Sequence, residues 1–154
     1  LEVLKKRVKE LKLKNINFNF KLETDKFFDL VLCDVPCSGT GTWRRRPENI
    51  IWLKKNELEQ LKLIQSNILI NAAKFCKNGG KLVYITCSLL YDENQLQIKR
   101  FLKNNKDFTL INIEEEKNKH FNKNVLKYSQ YGFTLKPDTL KTDGYFISIL
   151  KKSA

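Results

Sequence analysis

Two apolar runs constrain this chain more than anything else in it. "FFDLVLCD" (27–34) and "KLVYITCS" (81–88) each have the length and the Val, Leu, Ile and aromatic content of a strand buried on both faces. Between them Leu58, Leu61, Ile64, Ile68, Ala72 and Phe75 recur at helical spacing. Asn56, with Glu59 three residues later, predicts where that helix begins, and Asn78-Gly79-Gly80 predicts where it stops. A strand, a crossover helix and a second strand form a right-handed unit whose strands are parallel neighbours. The fold class that follows is α/β with a largely parallel sheet.

The remaining pattern is compatible with one domain over 1–154, a length sufficient for a real core. Leu1, Leu4, Val8 and Leu11 mark a basic amphipathic helix over about 1–13, and "NINFNFKL" (15–22) alternates like a short strand. Asp92 is placed to cap a helix running to Leu102 through Leu96, Ile98 and Phe101. "FTLINIE" (108–114) and "GYFISILKK" (144–152) read as later strands, with a Lys- and Asn-rich loop or excursion between them.

Charge and cysteine content narrow the setting. The formal charge of +12, from 29 Lys plus Arg against 17 Asp plus Glu, suits a polyanionic partner, and equally a Lys-coated surface. A membrane surface is the weaker alternative. No apolar run approaches the roughly 18 residues of a spanning helix, and no signal peptide opens the chain. Four cysteines without a CxxC pair point to a reducing cytoplasm.

In such sheets, ligands bind beyond the carboxyl ends of the strands. Asp34 and Cys37 leave the end of one strand and Cys87 stands at the end of the next, so both thiols face one cleft with Asp34 beside them. Cys33 and Cys76 read as small core residues. With a single His and no paired spacing, no metal site is expected, and a redox dithiol would use CxxC near a helix start. Nucleophilic catalysis by a thiolate is left.

"DVPCSGTGTWRRRP", "LVYITCSLLYDENQLQIKRFL" and "TDGYFISILKK" together resemble the C-terminal half of the Sun/Fmu family, within the wider Nop2/Sun group. These are S-adenosylmethionine-dependent ribosomal RNA cytosine-5 methyltransferases with a Rossmann-like fold. The resemblance runs from about Leu1 to Lys152. It implies that Cys87, in the Thr-Cys motif, is the nucleophile that adds to C6 of cytosine. Cys37, in the Pro-Cys motif, would assist product release, and Asp34 would lie against the cofactor and the polar edge of the base. Arg44, Arg45 and Arg46 are candidates for RNA phosphates or simply solvated charge. Glu93-Asn94 resembles the family's pair after the catalytic Cys, but fits a helix N-terminal turn equally well. Trp43 and Trp52 read as packing residues.

The family's glycine-rich cofactor loop and the acid ending its second strand have no counterpart here. Its third acid, on the adenine side, would fall near Glu23. In the family's sheet order the first two strands lie between "NINFNF" and "FFDLVL", so two strand edges are expected to lack partners. The expected architecture is therefore a partial methyltransferase fold lacking two strands and the RNA-binding domain, with ribosomal RNA and a separately encoded N-terminal half as implied partners. A non-catalytic basic RNA-binding remnant and a decayed gene product remain open beside the enzyme.

Overall fold

The computed structural model describes residues 2–19, 27–111 and 126–154. Its centre is the unit expected from the two apolar runs. Strand β1 (Phe28–Asp34) and strand β2 (Cys76–Thr86) pair in parallel, joined through a short helix α2 (Asn49–Trp52) and helix α3 (Lys55–Ala73). Leu69 of α3 packs into a cluster with Leu82 and Tyr84 of β2, Cys33 of β1, and Ile98 and Phe101 of helix α4 (Gln95–Asn104).

The far side of β2 is closed by strand β6 (Tyr145–Lys152), which runs antiparallel to it from Lys81↔Lys151 to Thr86↔Phe146. Two short strands share the other edge of β6. Strand β3 (Phe108–Leu110) pairs with residues 150–152, and strand β5 (Gly132–Leu135) pairs with residues 145–147. Strand β4 (Leu126–Ser129) completes a hairpin with β5, and helix α5 (Pro137–Leu140) follows. The Lys- and Asn-rich excursion thus contains this hairpin and helix. Phe146, Leu150 and Tyr84 are fully buried, which is why β6, with its alternating Phe, Ile and Leu, seals the core.

The α/β class holds, but the parallel character is confined among the described residues to β1–β2. The other four pairings are antiparallel, because the chain returns through a hairpin and a reversed last strand. Residues 15–19 form no strand, and 20–22 lie outside the described residues. Among the described residues this segment pairs with no strand. Of "FTLINIE", residues 108–110 are strand and 112–114 lie outside the described residues.

Three boundaries differ from the sequence reading. Helix α3 starts at Lys55, with Glu57 accepting the Lys54 N–H at 3.2 Å, while Glu59 pairs with Lys62 at 2.7 Å instead. It ends at Ala73, well before Gly79-Gly80. Phe28 N–H donates to the Phe75 carbonyl at 2.8 Å, drawing the chain into the sheet early. The glycines then occupy an irregularity in β2, where the register jumps from Phe28↔Cys76 to Leu30↔Lys81 and Gly79 takes φ +75°. Asp92 does not cap α4. It lies in a 3-10 turn (Tyr91–Glu93) and meets Lys62 at 3.3 Å, and Asn94 occupies the cap position.

Strand β1 is not buried on both faces, as its apolar run alone predicts, while its edge away from β2 is open among the described residues, as the family's sheet order implies. Among the described residues it pairs on one side only, and Leu30 and Leu32 are 57% and 58% exposed. Beside them opens a cleft of about 540 Å³, lined by Phe28, Leu32, Asp34, Ile68, Asn71 and Phe75 among others. Helix α1 (Glu2–Glu10) buries no residue, with Val3 81% exposed. An unpaired apolar edge is a template for another strand. Leu32→Lys is expected to reduce concentration-dependent self-association in sedimentation velocity. Because the side chain is already exposed, stability in urea should change by no more than about 0.5 kcal/mol.

Candidate active site

The register of β1 and β2 decides where the site lies. Asp34 stands opposite Ile85, and Val35 N–H extends the ladder to the Ile85 carbonyl at 3.1 Å. The segments after each strand therefore leave the same edge of the sheet. Cys37 and Cys87 meet there, with their Sγ atoms 3.2 Å apart and both thiols free.

Glycines bring the two loops this close. Gly39 takes φ +68°, and Gly41 N–H donates to the Cys87 carbonyl at 2.9 Å. Gly144 N–H donates in turn to the Gly41 carbonyl at 2.8 Å. A Cβ on Gly41 would sit 2.1 Å from the Gly144 carbonyl oxygen, so no larger residue fits. Thr40 Oγ1 accepts the Leu89 N–H at 2.8 Å, adding a second tie between the loops.

Beneath the thiols lies a buried polar cluster. Glu93 is fully buried and accepts four bonds: Ser38 N–H at 2.9 Å, Ser38 Oγ at 2.5 Å, Ser88 Oγ at 2.5 Å and Gln65 Nε2 at 2.8 Å. Asn94 accepts from Thr86 Oγ1 at 2.6 Å and donates to the Ser88 carbonyl at 2.8 Å. The Tyr84 hydroxyl donates to the Glu93 carbonyl at 2.6 Å. The sequence signal for this cluster was the Glu93-Asn94 pair, whose partners Ser38 and Gln65 are too distant in the chain to be paired with it by spacing.

The two thiols differ electrostatically. A hydrogen bond from Cys37 lowers Cys87 to about 7, against the opposing effects of burial and of the Asp34 and Glu93 charges. The same bond, with burial, raises Cys37, which keeps its proton. Cys33 is pushed up to about 11 by burial, and Cys76 is also raised, mainly by burial. Those two are core thiols, as read from the sequence.

Asp34 is exposed at the end of β1, on the side of the open cleft. Among the arginines, Arg45 is paired with Asp143, its Nε lying 2.8 Å from Oδ1 and its Nη2 meeting the other carboxylate oxygen. Arg44 and Arg46 are exposed. Trp43 is half-buried, in keeping with packing, whereas the Trp52 side chain and Glu23 lie outside the described residues. Among the described residues no group of three His, Cys, Asp or Glu could hold a metal ion, and no helix is long and apolar enough to cross a membrane.

The sequence model of the family described as 16S rRNA methyltransferase RsmB/F matches residues 2–151. The chain belongs to that family. Ribosomal RNA small subunit methyltransferase B of Shewanella oneidensis is 36% identical over 127 residues, covering 82% of this chain and 27% of the relative. Its counterpart from Photorhabdus laumondii is 42% identical over 121 residues, covering 71% and 28%. The chain thus spans little more than a quarter of these RsmB relatives. Among solved structures, PH0851 superposes with a TM-score of 0.79 at 27% identity, over 98% of this chain and 34% of that one. NSun6 from Pyrococcus horikoshii, solved with SFG, gives 0.76 at 24% identity, over 99% and 38%, and shows the shared fold.

RsmB/F methyltransferases use S-adenosylmethionine. The cleft beside Asp34 offers one wall for such a molecule, with Asp34 and Asn71 as its polar side chains among mostly apolar neighbours. No glycine-rich turn faces it among the described residues. Gly39 and Gly41 serve the thiol loop, and Gly79 and Gly80 lie within β2. The described residues therefore form an incomplete pocket.

If the Cys37 S–H holds Cys87 as a thiolate, removing it should raise Cys87. Cys37→Ala is expected to shift the half-point of Cys87 alkylation by iodoacetamide from about 7 to 9 or above. Peptide mass spectrometry across a pH series reads the change.

Proposed function

We propose that this RsmB/F chain carries the nucleophilic part of a methyltransferase site acting on carbon 5 of cytosine in small-subunit ribosomal RNA. The observation that carries this reading is the thiol pair 3.2 Å apart, one sulfur poised to ionise near neutrality and the other retaining its proton. Carbon 5 of cytosine is by itself too weak a nucleophile to take a methyl group. Addition of Cys87 Sγ to C6 turns C5 into an enamine carbon, which is nucleophilic enough. Once C5 carries its methyl group, one elimination completes the cycle: a base takes the C5 proton, the C–H electrons form the C5–C6 double bond, and the C6–S bond breaks with its electrons returning to sulfur.

The other residues divide the remaining work. The Cys37 S–H stands where it stabilises the departing Cys87 thiolate, which suits a role in product release. Asp34, exposed at the strand end, is proposed to accept a hydrogen bond from the amino group on the polar edge of the base, which orients the ring toward Cys87. Arg44 and Arg46 are exposed for RNA phosphates, and Arg45, though paired with Asp143, stiffens the loop that presents them. S-adenosylmethionine supplies the methyl group. Glu23 remains a proposed contact on its adenine side. A ribosomal substrate would place the reaction in the cytoplasm.

Two experiments test this reading. In a chimera joining this chain to the upstream part of the Shewanella RsmB relative, Cys87→Ala should abolish methylation and form no protein–RNA conjugate. Cys37→Ala should accumulate a conjugate that survives denaturing electrophoresis. The reverse pattern would exchange the two roles, and full activity in both variants would reduce the cysteines to packing. Secondly, the chain alone should show no heat of binding to millimolar S-adenosylmethionine in isothermal titration, because among the described residues no glycine-rich turn faces the cleft. Micromolar affinity would show that the residues present suffice.

A further inference from the structure

The buried carboxylate beneath the thiols has no part in the chemistry above. Its side chain touches neither sulfur through any hydrogen bond among the described residues, and its four donors are all neutral. Burying a carboxylate without a cation is costly unless its oxygens are well supplied with donors. A helix N-terminal turn would not require that cost, so the partners point to what the carboxylate is for.

Those partners are not scattered. Ser38 follows Cys37 and Ser88 follows Cys87, and both hydroxyls converge on the same oxygen, Oε2, each at 2.5 Å. Oε1 takes the Ser38 N–H and one proton of the Gln65 amide, whose other proton reaches the Pro36 carbonyl at 3.0 Å. Gln97 Nε2 fixes the orientation of that amide by donating to Gln65 Oε1 at 3.2 Å. One carboxylate thereby grips the residue after each cysteine and, through Gln65, the residue before Cys37.

We propose that Glu93 is a positioning residue for the thiol pair: by binding Ser38 and Ser88 on one oxygen, it fixes the approach of the Cys37 S–H to Cys87. The proposal deepens the reading of Cys87 as nucleophile and rests on it. An ionised acceptor suits the role, because it takes several converging donors at once without competing as a donor itself.

The same carboxylate also exerts a field, and the two effects have opposite signs. The groups acting on Cys87 are the Cys37 thiol, which lowers its pKa, and the Asp34 and Glu93 charges, which raise it. If Glu93 acted only as a charge, removing it would make Cys87 a stronger acid. If Glu93 positions the thiols, truncating it lets the loops separate, loses the Cys37 hydrogen bond and makes Cys87 a weaker acid. Glu93→Gln separates these cases. Its amide keeps the volume and can donate to the two serine hydroxyls, which rotate to accept, while the charge is gone.

The test is iodoacetamide alkylation of the chain across a pH series, with Cys87 followed by peptide mass spectrometry and Cys33 and Cys76 as slow internal references. Circular dichroism reports the fold of each variant. Glu93→Ala is expected to move the Cys87 half-point upward from about 7, slowing alkylation at neutral pH roughly five- to tenfold. Glu93→Gln should leave it at about 7 or lower it. Should Glu93→Ala fail to fold, the Ser38→Ala/Ser88→Ala double variant carries the test, because it cuts both grips and keeps the charge, and the same rise is expected. A half-point that stays or falls in the folded truncation, or stays in the double variant, overturns the proposal. A wild-type half-point near 9 would instead remove Cys87 as the thiolate, and with it the reading on which the proposal rests.

Discussion

The parallel ladder that sets Asp34 against Ile85 is the constraint from which the site follows. Parallel strands end at the same edge, so whatever follows each strand emerges beside the other. A shift of one residue would turn the alternate side chains to opposite faces. The core then could not keep Leu82 and Tyr84 packed beneath Leu69 and Ile98. Hydrophobic packing thus holds a register whose chemical consequence appears beyond its last pair.

At that edge, proximity alone would yield two similar thiols. What distinguishes them is a hydrogen bond in partly buried surroundings, where sharing a proton stabilises one charge and disfavours a second. The pair is asymmetric because the loops are asymmetric: Cys37 is held in a glycine turn, whereas Cys87 follows directly from the central strand β2. Seen this way, Gly41 and Glu93 do related work from opposite sides. The glycine permits close approach of the backbones, and the carboxylate draws the neighbouring serines together.

How much of this was legible in the sequence depended on range. The strands over 28–34 and 145–152, the long helix and the meeting of Cys37 with Cys87 all follow from local periodicity and one topological rule. The errors arose where distant partners decide local form. Gly79-Gly80 looked like a helix stop, but the bond from Phe28 to Phe75 had already drawn the chain into the sheet. Residues 15–19 alternate like a strand, yet among the described residues they pair with none. Arg45 looked like one of three free cations, and its partner Asp143 stands far along the chain. Glu93 offered two readings of equal weight until Ser38 and Gln65 were placed around it.

The close approach of Gly41 and Gly144 carries a consequence for the order in which the molecule assembles. The Pro-Cys loop is fastened to residues leading into β6, made about a hundred positions later, so it cannot settle while the chain is still short. Contacts of such separation form slowly, after their closure entropy has been met. During synthesis β1 and β2 can pair before β6 is made, so the sheet edge that brings Cys37 beside Cys87 exists first, and the Gly41–Gly144 clasp closes on it last. The site is drawn together by an early pairing and fastened by a late one.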